Sequence, residues 1–124
     1  MSASSITSVR ERFRALHDAD SIFVMPNPWD VGSARLLESL GFPALATTSS
    51  GLAAGLGKHD QHLTRDELVA HVASLTAAVG IPLNVDAERC YADTPEGVAE
   101  TVTMLAEAGA SGCSIEDYLS LIHI

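Results

Sequence analysis

Positive charge is scarce in this sequence: seven Lys and Arg stand against sixteen Asp and Glu, a formal net charge of −9. A nucleic-acid surface needs clustered cations to replace phosphate counterions, so the balance argues against that class of partner. An acidic chain is, however, compatible with collecting a divalent cation. Long apolar runs are missing too, and none approaches the ~20 residues that cross a bilayer. Met1-Ser2-Ala3-Ser4-Ser5 leads into Arg10, Glu11, Arg12 and Arg14 without the apolar stretch of a signal peptide. Cysteine is limited to Cys90 and Cys113, too few and too far apart for a zinc site or a disulfide framework. These absences lead to the expectation of a soluble cytoplasmic protein with reduced thiols and neither a membrane nor a nucleic-acid partner. What is there is an ordinary globular mixture, 47% hydrophobic and 19% charged over 124 residues, enough for one domain.

Four short apolar runs recur: Ile22–Met25, Pro43–Ala46, Pro82–Val85 and Gly112–Ile115. Each ends in polar or acidic residues, and a helical pattern follows the first three. Val9, Phe13 and Leu16 mark an amphipathic helix from about Ser8 to Asp18, placed to close one end of a barrel or to pack outside it. Asp30 is a plausible cap for a helix ending at Leu40 before Gly41. Thr64-Arg65-Asp66-Glu67 is a capping box for a helix from Arg65 to Val79, and Thr94-Pro95-Glu96 opens another that ends near Ala108. Between them, Thr48 to Gly57 reads as a small, flexible, donor-rich stretch suited to backbone approach to a ligand. Strand–helix alternation of this kind predicts a mostly parallel sheet. The glycines do not form a dinucleotide-binding G-x-G-x-x-G. A (β/α)8 barrel fits the polar strand ends better, and four strands make half of one.

The reactive groups of such folds gather at the carboxyl ends of the strands. Asp86 and Glu88 flank Ala87, so extended backbone sends both carboxylates to one side. Glu116 and Asp117 end the next run. Grouped carboxylates repel one another unless a cation or proton intervenes, and Mg²⁺ suits them, held by one or two directly and by others through water. His59, Asp60 and His62 invite a transition-metal reading, although their spacing is not diagnostic; Asp60 alone is placed to reach the carboxylate cluster. Cys90 lacks a neighbouring base and reads as a packed bystander.

Pro26-Asn27-Pro28-Trp29-Asp30 with Ser33-Ala34-Arg35, then Thr48-Ser49-Ser50-Gly51, Leu56-Gly57 before Asp60, Val85-Asp86-Ala87-Glu88 and Ser114-Ile115-Glu116-Asp117, in that order and spacing, resemble the isocitrate lyase / phosphoenolpyruvate mutase family. The resemblance implies a (β/α)8 barrel that binds Mg²⁺ and handles small 2-oxo or 2-hydroxy carboxylates, with the enolate of a pyruvate-like unit stabilised as a C–C or P–C bond breaks or forms. It implies that Asp86, Glu88 and Glu116 are the metal-centred acids, that Asp60 and Glu116 serve catalysis, and that Asn27, Thr48, Ser49, Ser50 and Gly51 bind the substrate carboxylate. Many members carry aspartate at the position of Glu88. The complete enzyme is expected to be a homo-oligomer.

Two departures qualify the likeness. The lyase branch has a Lys-Lys-Cys-Gly-His loop after the acid that matches Glu116; here the sequence reads Tyr118-Leu119-Ser120-Leu121-Ile122-His123-Ile124, and neither cysteine takes that place. Residues 119–124 do not look like the family, so residues 1–118 are expected to form the N-terminal half of the barrel and 119–124 a foreign tail. The alternative from another class is a non-catalytic half-barrel that pairs with itself or another chain.

Overall fold

The computed structural model describes residues 3–116, so the boundary expected at 118, the tail 119–124 and Asp117 lie outside the described residues. The order is α1 (Ala3–Asp18), α2 (Val31–Ser39), β1 (Leu45–Ala46), α3 (Ser49–Gly55), α4 (Arg65–Ala78), β2 (Leu83–Asp86), α5 (Pro95–Glu107) and β3 (Gly112–Ser114). The strands form one parallel sheet in the order β1-β2-β3, with Leu45 opposite Leu83 and Val85 opposite Cys113. Leu83 and Val85 face a core built with Leu45, Leu68, Val72, Leu75 and Leu105. Alternation sends Asn84 and Asp86 to the other face, where Asn84 Nδ2 donates to Ser114 Oγ at 2.9 Å. That second face is polar. Among the described residues no helix is long and apolar enough to cross a membrane.

Helix boundaries follow local chemistry. Thr64 and Glu67 close a reciprocal capping box on α4, and Asp30 and Ser33 do the same on α2. Beyond α5, Gly109 has φ +99°, and a Cβ there would lie 2.9 Å from Thr76 Oγ1, so both backbone and packing require glycine. The first helix lies across the N-terminal ends of the strands: Arg10 donates to the carbonyls of Ala106 and Ala110, Arg12 to that of Gly80, and Phe13 packs on the Gly112 backbone. The Arg10 guanidinium thus meets the negative end of α5.

Two expectations need correction. Ile22–Met25 is not a strand, and Ile22 is 98% exposed. Ala46 N donates to Pro26 O at 3.1 Å, half of a parallel bridge centred on Asn27. The other half needs an N–H at position 28, which proline lacks, and Asn27 Nδ2 donates to Ala46 O instead at 2.9 Å. The sheet therefore has three strands, not four, among the described residues. Nor is Thr48–Gly57 a flexible loop throughout, because Ser49–Gly55 is helical.

Candidate active site

The carboxyl ends of β1 and β2 are joined through one aspartate. Asp86 N donates to Thr47 Oγ1 at 2.9 Å, and its carboxylate Oδ2 accepts from Ser49 N at 2.8 Å. The carboxylate thereby meets an unpaired donor in the first turn of α3. Thr48 caps the same helix through Gly51 N at 3.3 Å, and its hydroxyl lies 3.3 Å from Ser50 Oγ. Gly51 is closely packed: a Cβ would sit 2.7 Å from Thr48 Cγ2 and 2.8 Å from the Trp29 indole nitrogen, so a side chain there would have to push its neighbours aside. Of the expected carboxylate-binding donors, Ser49 N and Gly51 N are therefore engaged inside the protein, while the exposed Ser50 and Asn27 remain open to solvent. Asn27 also ties its segment to β1.

Glu88 is the unusual residue. Only 7% of it is exposed, and its Oε1 has no hydrogen-bond partner among the described residues. Burial pushes its pKa up; Tyr91 pulls part of that back, and the charges of Asp86, Asp60 and Glu116 raise it further. Three of the other acids singled out in the sequence, Asp86, Asp60 and Glu116, therefore lie near enough for their charges to act on Glu88. Glu88 O also accepts from Glu116 N at 2.8 Å, and Ala87 N donates to Ser114 O at 3.1 Å, which carries the β2–β3 pairing into the site. Asp60 is half-buried, with Oδ1 accepting from Gln61 N at 3.0 Å.

The backbone here is strained. Glu88, Cys90 and Tyr91 have φ of +49°, +59° and +54°, values that non-glycine residues hold only when the surroundings dictate them. The dictating contacts are the β3 hydrogen bonds and Thr101 Oγ1, which donates to Cys90 O at 2.7 Å. Cys90 is fully buried and burial pushes its thiol up, as befits a bystander. The rings of His59 and His62 meet edge to face at 5.9 Å, and His62 Nδ1 lies 3.0 Å from Asp60 O. Among the described residues, no three His, Cys, Asp or Glu side chains converge closely enough to ligate one ion together. Sequence reasoning missed Thr47 and Tyr91. Period-two alternation from Leu45 marks Thr47 as inward-facing, whereas nothing local marks Tyr91.

A polar strand-end site on a parallel α/β sheet, centred on carboxylates, defines the class. The sequence matches the phosphoenolpyruvate phosphomutase family over residues 13–121, and the chain belongs to that family. It superposes with a TM-score of 0.91 on a Burkholderia cenocepacia J2315 protein described as a lyase/mutase, at 48% identity over 94% of this chain and 42% of that one. An uncharacterized Mycobacterium tuberculosis H37Rv protein is 40% identical over 85% of this chain and 40% of its own length. The 2-methylisocitrate lyase of Escherichia coli K12 is 30% identical over 91% of this chain and 39% of its own. The chain thus spans about two fifths of the length of the curated relatives it matches.

Proposed function

We propose that this chain is the N-terminal part of a Mg²⁺-dependent enzyme that makes or breaks a C–C or P–C bond in small 2-oxo or 2-hydroxy carboxylates. On this reading the parallel sheet belongs to a (β/α)8 barrel and supplies its first units. The observation that carries the proposal is the buried Glu88 carboxylate, with a free oxygen, among Asp86, Asp60 and Glu116 at the strand ends. Such a group is costly without a cation or proton to meet it. The hard oxygen donors fit Mg²⁺ in its usual mode, with one or two carboxylates bound directly and water filling the remaining positions. Asp86 and Glu88 would hold it, with Glu116 and Asp60 acting on its waters. When bound, the ion supplies positive charge for a developing enolate.

The protein's own residues do the rest. Ser49 N and Thr47 Oγ1 fix the orientation of Asp86. Ser50 and Thr48 hydroxyls, with Asn27, offer donors to a substrate carboxylate at the same end of the sheet. The 2-methylisocitrate lyase relative supports C–C cleavage and the family's phosphomutase name supports P–C chemistry. Calorimetric titration of Mg²⁺ tests the proposal: saturable binding that Asp86→Ala abolishes is expected, and equal affinity in the two proteins would remove Asp86 from the site.

A further inference from the structure

Asp60 is carried on a loop that has few ties to the rest of the fold. Among the described residues, the hydrogen bonds of 59–62 stay within that stretch: Gln61 N donates to Asp60 Oδ1 at 3.0 Å, His62 N donates to His59 O at 3.2 Å, and His62 Nδ1 lies 3.0 Å from Asp60 O. Gly57 at φ +69° and Gln61 at φ +61° turn the chain on either side of the acid. The tie is Lys58, two residues before Asp60. Its backbone N donates to Ala53 O at 2.8 Å, and its Nζ crosses to the α4 cap, donating to Glu67 Oε1 at 2.5 Å and Oε2 at 2.6 Å. Ion pairs near a surface are usually weak, because two long side chains must be ordered to form them. Here one of the two is ordered already: Glu67 Oε2 accepts from Thr64 N at 2.8 Å and from Thr64 Oγ1 at 3.1 Å, and both partners of the pair are half-buried. The capping box is complete without the lysine, so the lysine's bond serves the loop more than the helix.

We propose that Lys58 is a positioning residue of the site: by clasping Glu67 it latches the loop 57–62 onto the α4 cap and so keeps Asp60 at the strand ends. The role rests on the reading of Asp60 as an acid that acts on the waters of a bound ion, but the latch itself can be tested without metal. Its removal has a distinctive sign. A lysine that acted only as a nearby charge would repel Mg²⁺, so neutralising it would tighten binding. A lysine that holds Asp60 in place gives the opposite result, weaker binding, and gives it only while Asp60 is there to be held.

The experiment begins with amide hydrogen exchange on the metal-free 124-residue chain, comparing the unaltered protein with Lys58→Met and Lys58→Arg. The expected result is exchange several-fold faster across 59–62 in Lys58→Met, unchanged exchange in α4 and α5, and recovery in Lys58→Arg. Unchanged loop exchange in Lys58→Met, an acceleration spread evenly over the core, or one that Lys58→Arg leaves in place would overturn the latch. Calorimetric titration of Mg²⁺ then reads the positioning role, with Lys58→Met made in the Asp60 and Asp60→Asn backgrounds. Lys58→Met should lose about tenfold in affinity with Asp60 present, as outer-shell partners commonly do, and clearly less with Asn. Tighter or unchanged binding in Lys58→Met, or an equal loss in both backgrounds, would overturn that role. Failure of the unaltered chain to bind Mg²⁺ would overturn the metal reading of the acids and the positioning role with it, while the metal-free exchange still decides the latch.

Discussion

Cys90 shows how much a single backbone angle can demand. It is fully buried, has no catalytic geometry, and adopts φ +59° without being glycine. Glycine would accept that angle freely at the loss of a small buried side chain, so Cys90→Gly should change stability by no more than about 1 kcal/mol. A β-branched residue is a true outlier there, and Cys90→Val should cost about 2 kcal/mol or more. Chemical denaturation of the two variants decides the matter; equal costs would mean that volume, not φ, governs the position. The same argument explains why the Glu88–Tyr91 turn is invisible in the sequence. Three left-handed residues in four positions would ordinarily be written with glycine or asparagine, and none is present. The acids themselves were legible because they follow an apolar run, although the extended geometry expected to align Asp86 with Glu88 is not kept: β2 ends at Asp86 and Glu88 has φ +49°. Their dependence on Thr47 and Ser49 was not legible, because those contacts are set by packing between elements.

At the scale of elements, the caps made the helices readable. Thr64 with Glu67, Thr94 with Pro95, and Gly41 and Gly109 as stops mark α4, α5 and the ends of α2 and α5 to within a residue or two. The failures have one local and one nonlocal cause. Pro28 withholds the one N–H that would make Asn27 part of a ladder, and α3 forms from a glycine-containing stretch because Asp86, 37 residues away, satisfies its first donor. A close contact is central to α3: Gly51 lies under Trp29, the sole tryptophan. Gly51→Ala should displace the indole, shift its fluorescence and destabilise the chain by about 1–3 kcal/mol. An unchanged emission spectrum would show that the contact is looser than described. Acid sensitivity also belongs to elements. Lys58, just after α3, donates to both Glu67 oxygens in the α4 cap, which holds the Glu67 pKa down at about 2 against an ordinary 4.5. Because the folded value is the lower one, the contribution is complete above about 4.5 and is lost as pH falls through about 2. Glu67→Gln should flatten that part of the acid-denaturation curve; an identical curve would show that the half-buried pair contributes nothing.

For the molecule as a whole, the sheet presents one face to a core and the other, polar, face to the site, with α1 sealing the opposite end through Arg10, Arg12 and Phe13. Family membership agrees with that plan, and the resemblance in the motif order was enough to reveal it before any coordinates. The central proposal is that Asp86 and Glu88 hold a cation, with Asp60 and Glu116 acting through its waters. Calorimetric titration of Mg²⁺ into the unaltered chain and into Asp86→Ala tests it most directly. The account predicts saturable binding in the first and none in the second, with both proteins folded by circular dichroism. Equal binding in both, or none in either, would contradict it.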